Sequence, residues 1–286
     1  MVLCSFPALM TCLNSEARLW RGVLMLKNKT GILSTKAGKG YLSGMMVFEF
    51  FVPGMPAIAA SAGADFLLYD MEHTGISIET LKPQMAACRG LDIAPLVRVP
   101  SVEGNTIGQI LDIGAHGVMV PMVETAEQAR DIVRRAHYPP EGQRGTAFSI
   151  AHDDYKSGRP ADKMAQANQR SVVIAMIETE TGLANVDAIA AVEGIDVLWL
   201  GHFDLTSSLG IPGQTDHPDY LAAVSHIVAA ATQYGKCAGY MAVDKKWAEE
   251  YWGYGFRMLA FGLDHLLLRD SLAEGMTFIS DMASKD

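Results

Sequence analysis

The chain has 286 residues, 49% of them hydrophobic, and a net charge of −9 at pH 7. That length allows one large core, and the acidic balance excludes a general nucleic-acid binder, which needs a basic face. No apolar run is long enough for a membrane span.

Residues 1–40 read as an irregular amino-terminal extension. The apolar stretch Met1–Leu13 lacks an early Lys/Arg cluster and is interrupted by Pro7, so it makes a poor secretory signal. Of the four cysteines, Cys4, Cys12, Cys88 and Cys237, none forms a C-x-x-C pair or a zinc spacing. Cys88 and Cys237 lie in apolar segments and are expected as buried free thiols, which fits a reducing cytoplasm.

From Tyr41 onward, strand-like and helix-like segments alternate through 41–286, read as one domain. Strands are expected near Tyr41–Phe50, Phe66–Asp70, Ala94–Val99, Gly117–Pro121, Val172–Ile177, Asp196–Leu200, Lys236–Tyr240 and Arg257–Phe261. Helical patterns cover Val52–Ala62, Ser77–Cys88, Gly104–Ile113, Ala126–Ala136, Gly182–Ala190, Pro218–Tyr234 and Lys245–Tyr254. The strands are continuous apolar runs, which marks a parallel sheet covered on both faces. Such a series of βα units predicts an α/β fold, a (β/α)₈ TIM barrel. A doubly wound open sheet is the alternative, but no G-x-G-x-x-G follows the first strand. The polar stretch Tyr138–Arg170 is long for a connector and is expected to be an active-site lid or a subunit contact.

In a barrel, the carboxyl ends of the strands form the working face. Glu178 and Asp204 each sit where an apolar run ends, and burying an unpaired charge is costly. Together they point to a hard divalent cation, Mg²⁺ or Mn²⁺ with Co²⁺ possible in their stead, the remaining positions going to water and substrate oxygens. Read singly, either is a helix cap. Arg98 lies inside the apolar run Ala94–Val99 and needs an anion: a substrate carboxylate or enolate oxygen, or a structural partner such as Asp70. His73 is the candidate acid/base, with Asp70 its expected orienting partner and Glu72 behind it. Backbone N–H groups at Gly201 to Asp204 precede a helical start and could hold a carboxylate.

These residues together resemble the HpcH/HpaI aldolase–citrate lyase family, and within it the metal-dependent 4-hydroxy-2-oxoheptanedioate aldolases. The signatures run in order: Gly63 to Phe66 leading to Asp70-Met71-Glu72-His73; Leu96-Val97-Arg98-Val99; Val120 to Val123; Tyr138 to Gly145; Ile177-Glu178-Thr179; and Gly201 to Leu205. The resemblance implies a class II pyruvate aldolase that reversibly cleaves a 4-hydroxy-2-oxo acid to pyruvate and an aldehyde. It implies Glu178 and Asp204 as metal ligands, Arg98 on the enolate oxygen, and His73 with Asp70 moving protons. It also implies homo-oligomers, trimers or hexamers, with the terminal helix near Leu266–Met282 exchanged between neighbours. Two positions depart from the family pattern near the expected substrate: Met176 stands where many members have Gln, and His202-Phe203 follow Gly201 where Gly-Pro-x is common. Oxaloacetate decarboxylation or another enolpyruvate-forming lyase reaction would use the same ligands, whereas a citryl- or malyl-coenzyme A lyase would need a coenzyme site, and no basic groove suggests one. A Schiff-base aldolase lacks a lysine at a strand end, and a non-catalytic scaffold has no need of this set of residues.

Overall fold

The computed structural model describes Leu26, Lys29 and residues 31–102 and 105–284. Eight strands close into one parallel barrel in sequence order: β1 (Leu42–Val47), β2 (Phe66–Asp70), β3 (Ala94–Arg98), β4 (Gly117–Val120), β5 (Val172–Ile177), β6 (Val197–Leu200), β7 (Cys237–Ala242) and β8 (Met258–Leu263). The expected TIM barrel is therefore the fold. Helices alternate with the strands, and their starts are chemically marked. Ser77 accepts the Thr80 N–H at the head of Ile78–Ala87. Thr125 and Gln128 form a capping box at the head of Ala126–Ala136. The expected helix over Gly182–Ala190 is two short ones, Glu180–Ala184 and Val186–Ala190, broken at Asn185.

Successive strand side chains alternate between two apolar clusters. One lies between sheet and helices and includes Leu67, Tyr69, Val97, Val118, Ala175 and Leu198. The other fills the lumen: Met46, Phe66, Leu68, Leu96, Ile174, Met176 and Trp199. Leu26, Leu33 and Ala37 join this inner cluster, and a short helix, Ile32–Lys36, precedes β1. The described part of the expected irregular extension is thus packed structure closing the amino-terminal end of the barrel. The stretch Met1–Leu13, with Cys4 and Cys12, lies outside the described residues. Cys88 and Cys237 are buried free thiols. Among the described residues, no helix is long and apolar enough to cross a membrane.

The segment 138–170 is not a lid. Helix Ala126–Ala136 has already returned the chain to the amino-terminal end, and the segment stays there. Arg144 pairs with Asp112 at 2.5 Å, and Arg89 donates to the Ala151 carbonyl at 3.2 Å. Both Asp112 and Arg89 stand at carboxyl ends of helices, on the face opposite the working rim. The segment also contains a helix, Pro160–Arg170, after which β5 begins.

Candidate active site

Register sets the first pair. β2 and β3 pair with Asp70 beside Arg98, and both continue inward rows: Phe66, Leu68, Asp70 and Ala94, Leu96, Arg98. Arg98 Nε donates to Asp70 Oδ1 at 2.5 Å. Asp70 also accepts the backbone N–H of His73 at 2.8 Å and that of Glu72 at 3.2 Å. The fully buried acid therefore clamps one edge of the guanidinium and ties down the loop after β2. Arg98 Nη1 lies 2.9 Å from Glu72 Oε2 and 3.9 Å from Met176 Sδ, and the Phe48 ring stands 5.7 Å from the guanidinium.

The expected pairing of Asp70 with the His73 imidazole is not what forms. Asp70 is used up by Arg98 and two amides at the strand end. The ring, 54% exposed, instead has Glu72 Oε2 3.6 Å from its Nε2. Burial pushes the Glu72 carboxyl above the usual range, against the pull of Arg98 and His73, with Asp70 and Asp204 adding to the rise.

Glu178 continues the inward row Val172, Ile174, Met176 of β5, and is 1% exposed. Its Oε1 accepts the Met122 N–H at 2.7 Å. Met122 is held at φ 54°, a strained backbone for a non-glycine residue, two residues after β4. Glu178 Oε2 is buried with no partner. Burial pushes the Glu178 carboxyl up to about 7; the Met122 N–H opposes this, and the charges of Glu72 and Asp204 reinforce it. Asp204 is exposed, in the first turn of helix His202–Ser208 after β6. Neither acid caps a helix. Thr179 caps the helix after β5 by accepting the Gly182 N–H, and Gly201 is the N-cap after β6. The capping alternatives for Glu178 and Asp204 therefore fall away.

Gly201 is what lets the two strands meet here. Its N–H donates to the Ile177 carbonyl at 3.1 Å, and a Cβ on it would lie 2.4 Å from Glu178 Oε2 and 2.7 Å from Met176 Cε. Among the described residues, no group of three or more His, Cys, Asp or Glu side chains forms a full ligand set. The donors that do fit a cation are hard oxygens: the orphaned Glu178 Oε2 and the free carboxylate of Asp204.

A cavity of about 150 Å³ opens among these groups, lined by His73, Arg98, Met176, Gly201, His202, Phe203 and Asp204. The rest of its lining is apolar: Met46, Phe48, Trp199, Leu200, Met241 and Leu263. Phe203 is 61% exposed at the mouth. His202 is 4% exposed, its ring 5.4 Å from Tyr240 and 5.1 Å from Trp247, and burial alone lowers it to about 4. Its Nε2 has no partner. Cavities of about 500 Å³ lie at the amino-terminal end, around residues such as Lys163 and Lys236, away from this acidic mouth.

Phe48, Trp199, Met241, Leu263 and Asp264 escaped the sequence reading. Asp264 carried the same signal as Glu178, an acid ending an apolar run. It is 4% exposed and accepts the N–H groups of Phe48, Glu49 and Phe50 at 3.0, 3.1 and 2.7 Å.

Comparison with known proteins places the chain in a family. The model of the HpcH/HpaI aldolase/citrate lyase family matches residues 45–271. The chain is 40% identical over 259 residues to the 2-keto-3-deoxy-L-rhamnonate aldolase of Klebsiella pneumoniae, covering 88% of this chain and 96% of that one. It is 41% identical over 203 residues to the 5-keto-4-deoxy-D-glucarate aldolase of the same organism, covering 71% and 78%. Among solved structures, the HpcH/HpaI aldolase from Desulfitobacterium hafniense superposes with a TM-score of 0.82 at 32% identity, covering 86% of this chain and 96% of that one. The chain belongs to the HpcH/HpaI aldolase/citrate lyase family, and its chemistry is that of a carbon–carbon lyase.

Proposed function

We propose that the enzyme reversibly cleaves a 4-hydroxy-2-oxo acid to pyruvate and an aldehyde, with Glu178 and Asp204 holding a divalent cation, Mg²⁺ or Mn²⁺ and alternatively Co²⁺. One observation carries this reading. Glu178 Oε2 is buried, unpartnered, and in the field of two further acids, Glu72 and Asp204. A lone buried carboxylate is costly, and a cation relieves it. When bound, the cation draws electrons from the carbonyl of the 2-oxo acid.

The chain's own residues do the rest. His73, at the mouth, takes the proton of the 4-hydroxyl, and Glu72 steadies the imidazole. The C3–C4 bond then breaks, its electrons form a C2=C3 double bond while the C2 carbonyl pair goes onto oxygen, and the aldehyde leaves. The Arg98 guanidinium donates to the oxygen where enolate charge develops, held in place by Asp70 on Nε and Glu72 on Nη1. Protonation at C3 gives pyruvate. Met176 and Gly201 border the 2-oxo acid, and Met176 offers it no N–H donor, its sulfur instead accepting from Arg98 Nη1 at 3.9 Å. His202 and Phe203 flank the mouth. We further propose a homo-oligomer, trimeric or hexameric. In helix Asp264–Ala283, Leu268, Leu272, Met276 and Ile279 are more than half exposed along one stripe, suited to a second copy. Sedimentation as a monomer at micromolar concentration contradicts that assembly.

The test needs no aldehyde. With Mg²⁺, the enzyme should exchange the methyl protons of pyruvate in D₂O, followed by NMR, and EDTA should stop it. Borohydride added with pyruvate should leave the protein unlabelled, since among the described residues no lysine lines the cavity. Exchange that ignores EDTA, together with a trapped lysine adduct, refutes the reading.

A further inference from the structure

Resting on the pyruvate reading above, we propose that the other half of this cavity is built for an apolar aldehyde, aromatic or branched aliphatic, in preference to a hydroxylated one. The polar part of the lining is confined to one sector of the barrel. His73, Arg98, Gly201, His202 and Asp204 follow or lie on β2, β3 and β6. The contiguous arc β7–β8–β1 presents Met241, Leu263, Met46 and Phe48. Closure of the barrel brings Leu263 into register with Met46. Trp199 completes the floor at 1% exposure, seated on Gly239, where a Cβ would lie 2.3 Å from its ring.

Where β1 leaves this arc, the backbone donors are taken up as well. The N–H groups that leave β1, at Phe48, Glu49 and Phe50, all donate to the buried Asp264 carboxylate. A hydroxyl on the aldehyde would therefore lose its water and find no polar side chain among the lining of this arc, whereas a phenyl or isobutyl group would bury apolar surface. In the condensation direction, C3 of the pyruvate enolate bonds to the aldehyde carbon. The aldehyde oxygen takes up one proton and becomes the 4-hydroxyl, so no oxidant or reductant is required.

The experiment uses the full chain with Mg²⁺ and pyruvate, with benzaldehyde and 3-methylbutanal set against glyceraldehyde and lactaldehyde. Products are quantified by liquid chromatography, and methyl exchange in D₂O is run in parallel. An apolar pocket discriminates by about tenfold to a few hundredfold, so kcat/KM for the apolar pair should exceed that for the hydroxylated pair by at least tenfold. Leu263→Asn, and separately Met241→Ser in case the first fails to fold, should shrink that ratio severalfold. Equal or better use of the hydroxylated aldehydes, or exchange with no acceptor taken from either set, overturns the inference while leaving the pyruvate reading standing. Absence of exchange in the unaltered enzyme removes both.

Discussion

Adding one methyl group at Gly201 tests how tightly the site is set. In Gly201→Ala the new Cβ would stand 2.4 Å from Glu178 Oε2 and 2.7 Å from Glu178 Cβ, where ordinary contact begins at 3.4 Å. The carboxylate oxygen must retreat by about 1 Å, and the Met122 N–H on Oε1 restrains that movement. The Met176 side chain, 2.7 Å away at Cε, can swing aside more easily. A misplacement of about 1 Å at a catalytic site costs on the order of 10²-fold in rate. Overpacking of a buried site costs about 1–3 kcal/mol. Gly201 has φ −97°, which alanine adopts freely, so backbone strain adds nothing. Gly201→Ala should therefore lose about 10²-fold in kcat for pyruvate methyl exchange, need more Mg²⁺ for half-maximal rate, and melt only modestly earlier. Exchange within a factor of about three of the unaltered enzyme, at the same Mg²⁺ requirement, would show that the position of Glu178 is not critical and refute this reasoning.

Arg98→Ala should lower exchange by about 10²–10³-fold, the usual loss when one well-aimed donor to an oxyanion goes, with Arg98→Lys falling between; near-normal turnover in Arg98→Ala contradicts its role. Burial pushes the Asp264 carboxyl up, but the N–H groups of Phe50, Phe48, Glu49 and His265 outweigh it and leave it below the usual range. That stabilisation is present above the ordinary carboxylate pKa and is lost as pH falls through the lower folded value, so Asp264→Asn should be less stable at neutral pH and lose less on acidification, read from urea midpoints. Burial, with the charge of Lys29, lowers His137 from 6.5 to about 4, so it folds neutral. Below about 6.5 the unfolded chain binds a proton that the folded one does not, and stability should decline down to about pH 4. His137→Gln should flatten that decline; an unchanged slope excludes His137 as its source.

Strand positions were legible because a parallel strand covered on both faces is a plain apolar run; β2 and β5 fall at the expected residues. Glu178 and Arg98 stood out because a charge inside such a run demands a partner. Asp264 gave the same signal but went unread, because β8 was expected to end at Phe261 while it continues to Leu263. The lid alternative for segment 138–170 fails on chain order alone. It follows a helix and precedes a strand, and such connections lie at the amino-terminal end of a barrel. The partner of His73 was not legible: which acid turns toward the ring depends on Asp70 already being occupied by Arg98 and two amides. Nor was the apolar wall, since Met46 and Leu263 meet only through closure of β8 on β1.

The account depends on Glu178 and Asp204 gripping one cation between them. Titration of the apoprotein with Mn²⁺, followed by electron paramagnetic resonance, tests this without any substrate. The unaltered chain should bind one Mn²⁺ per chain, and Glu178→Gln and Asp204→Asn should each abolish that binding while keeping the circular dichroism of the folded barrel. Undiminished Mn²⁺ binding in both variants would contradict the account.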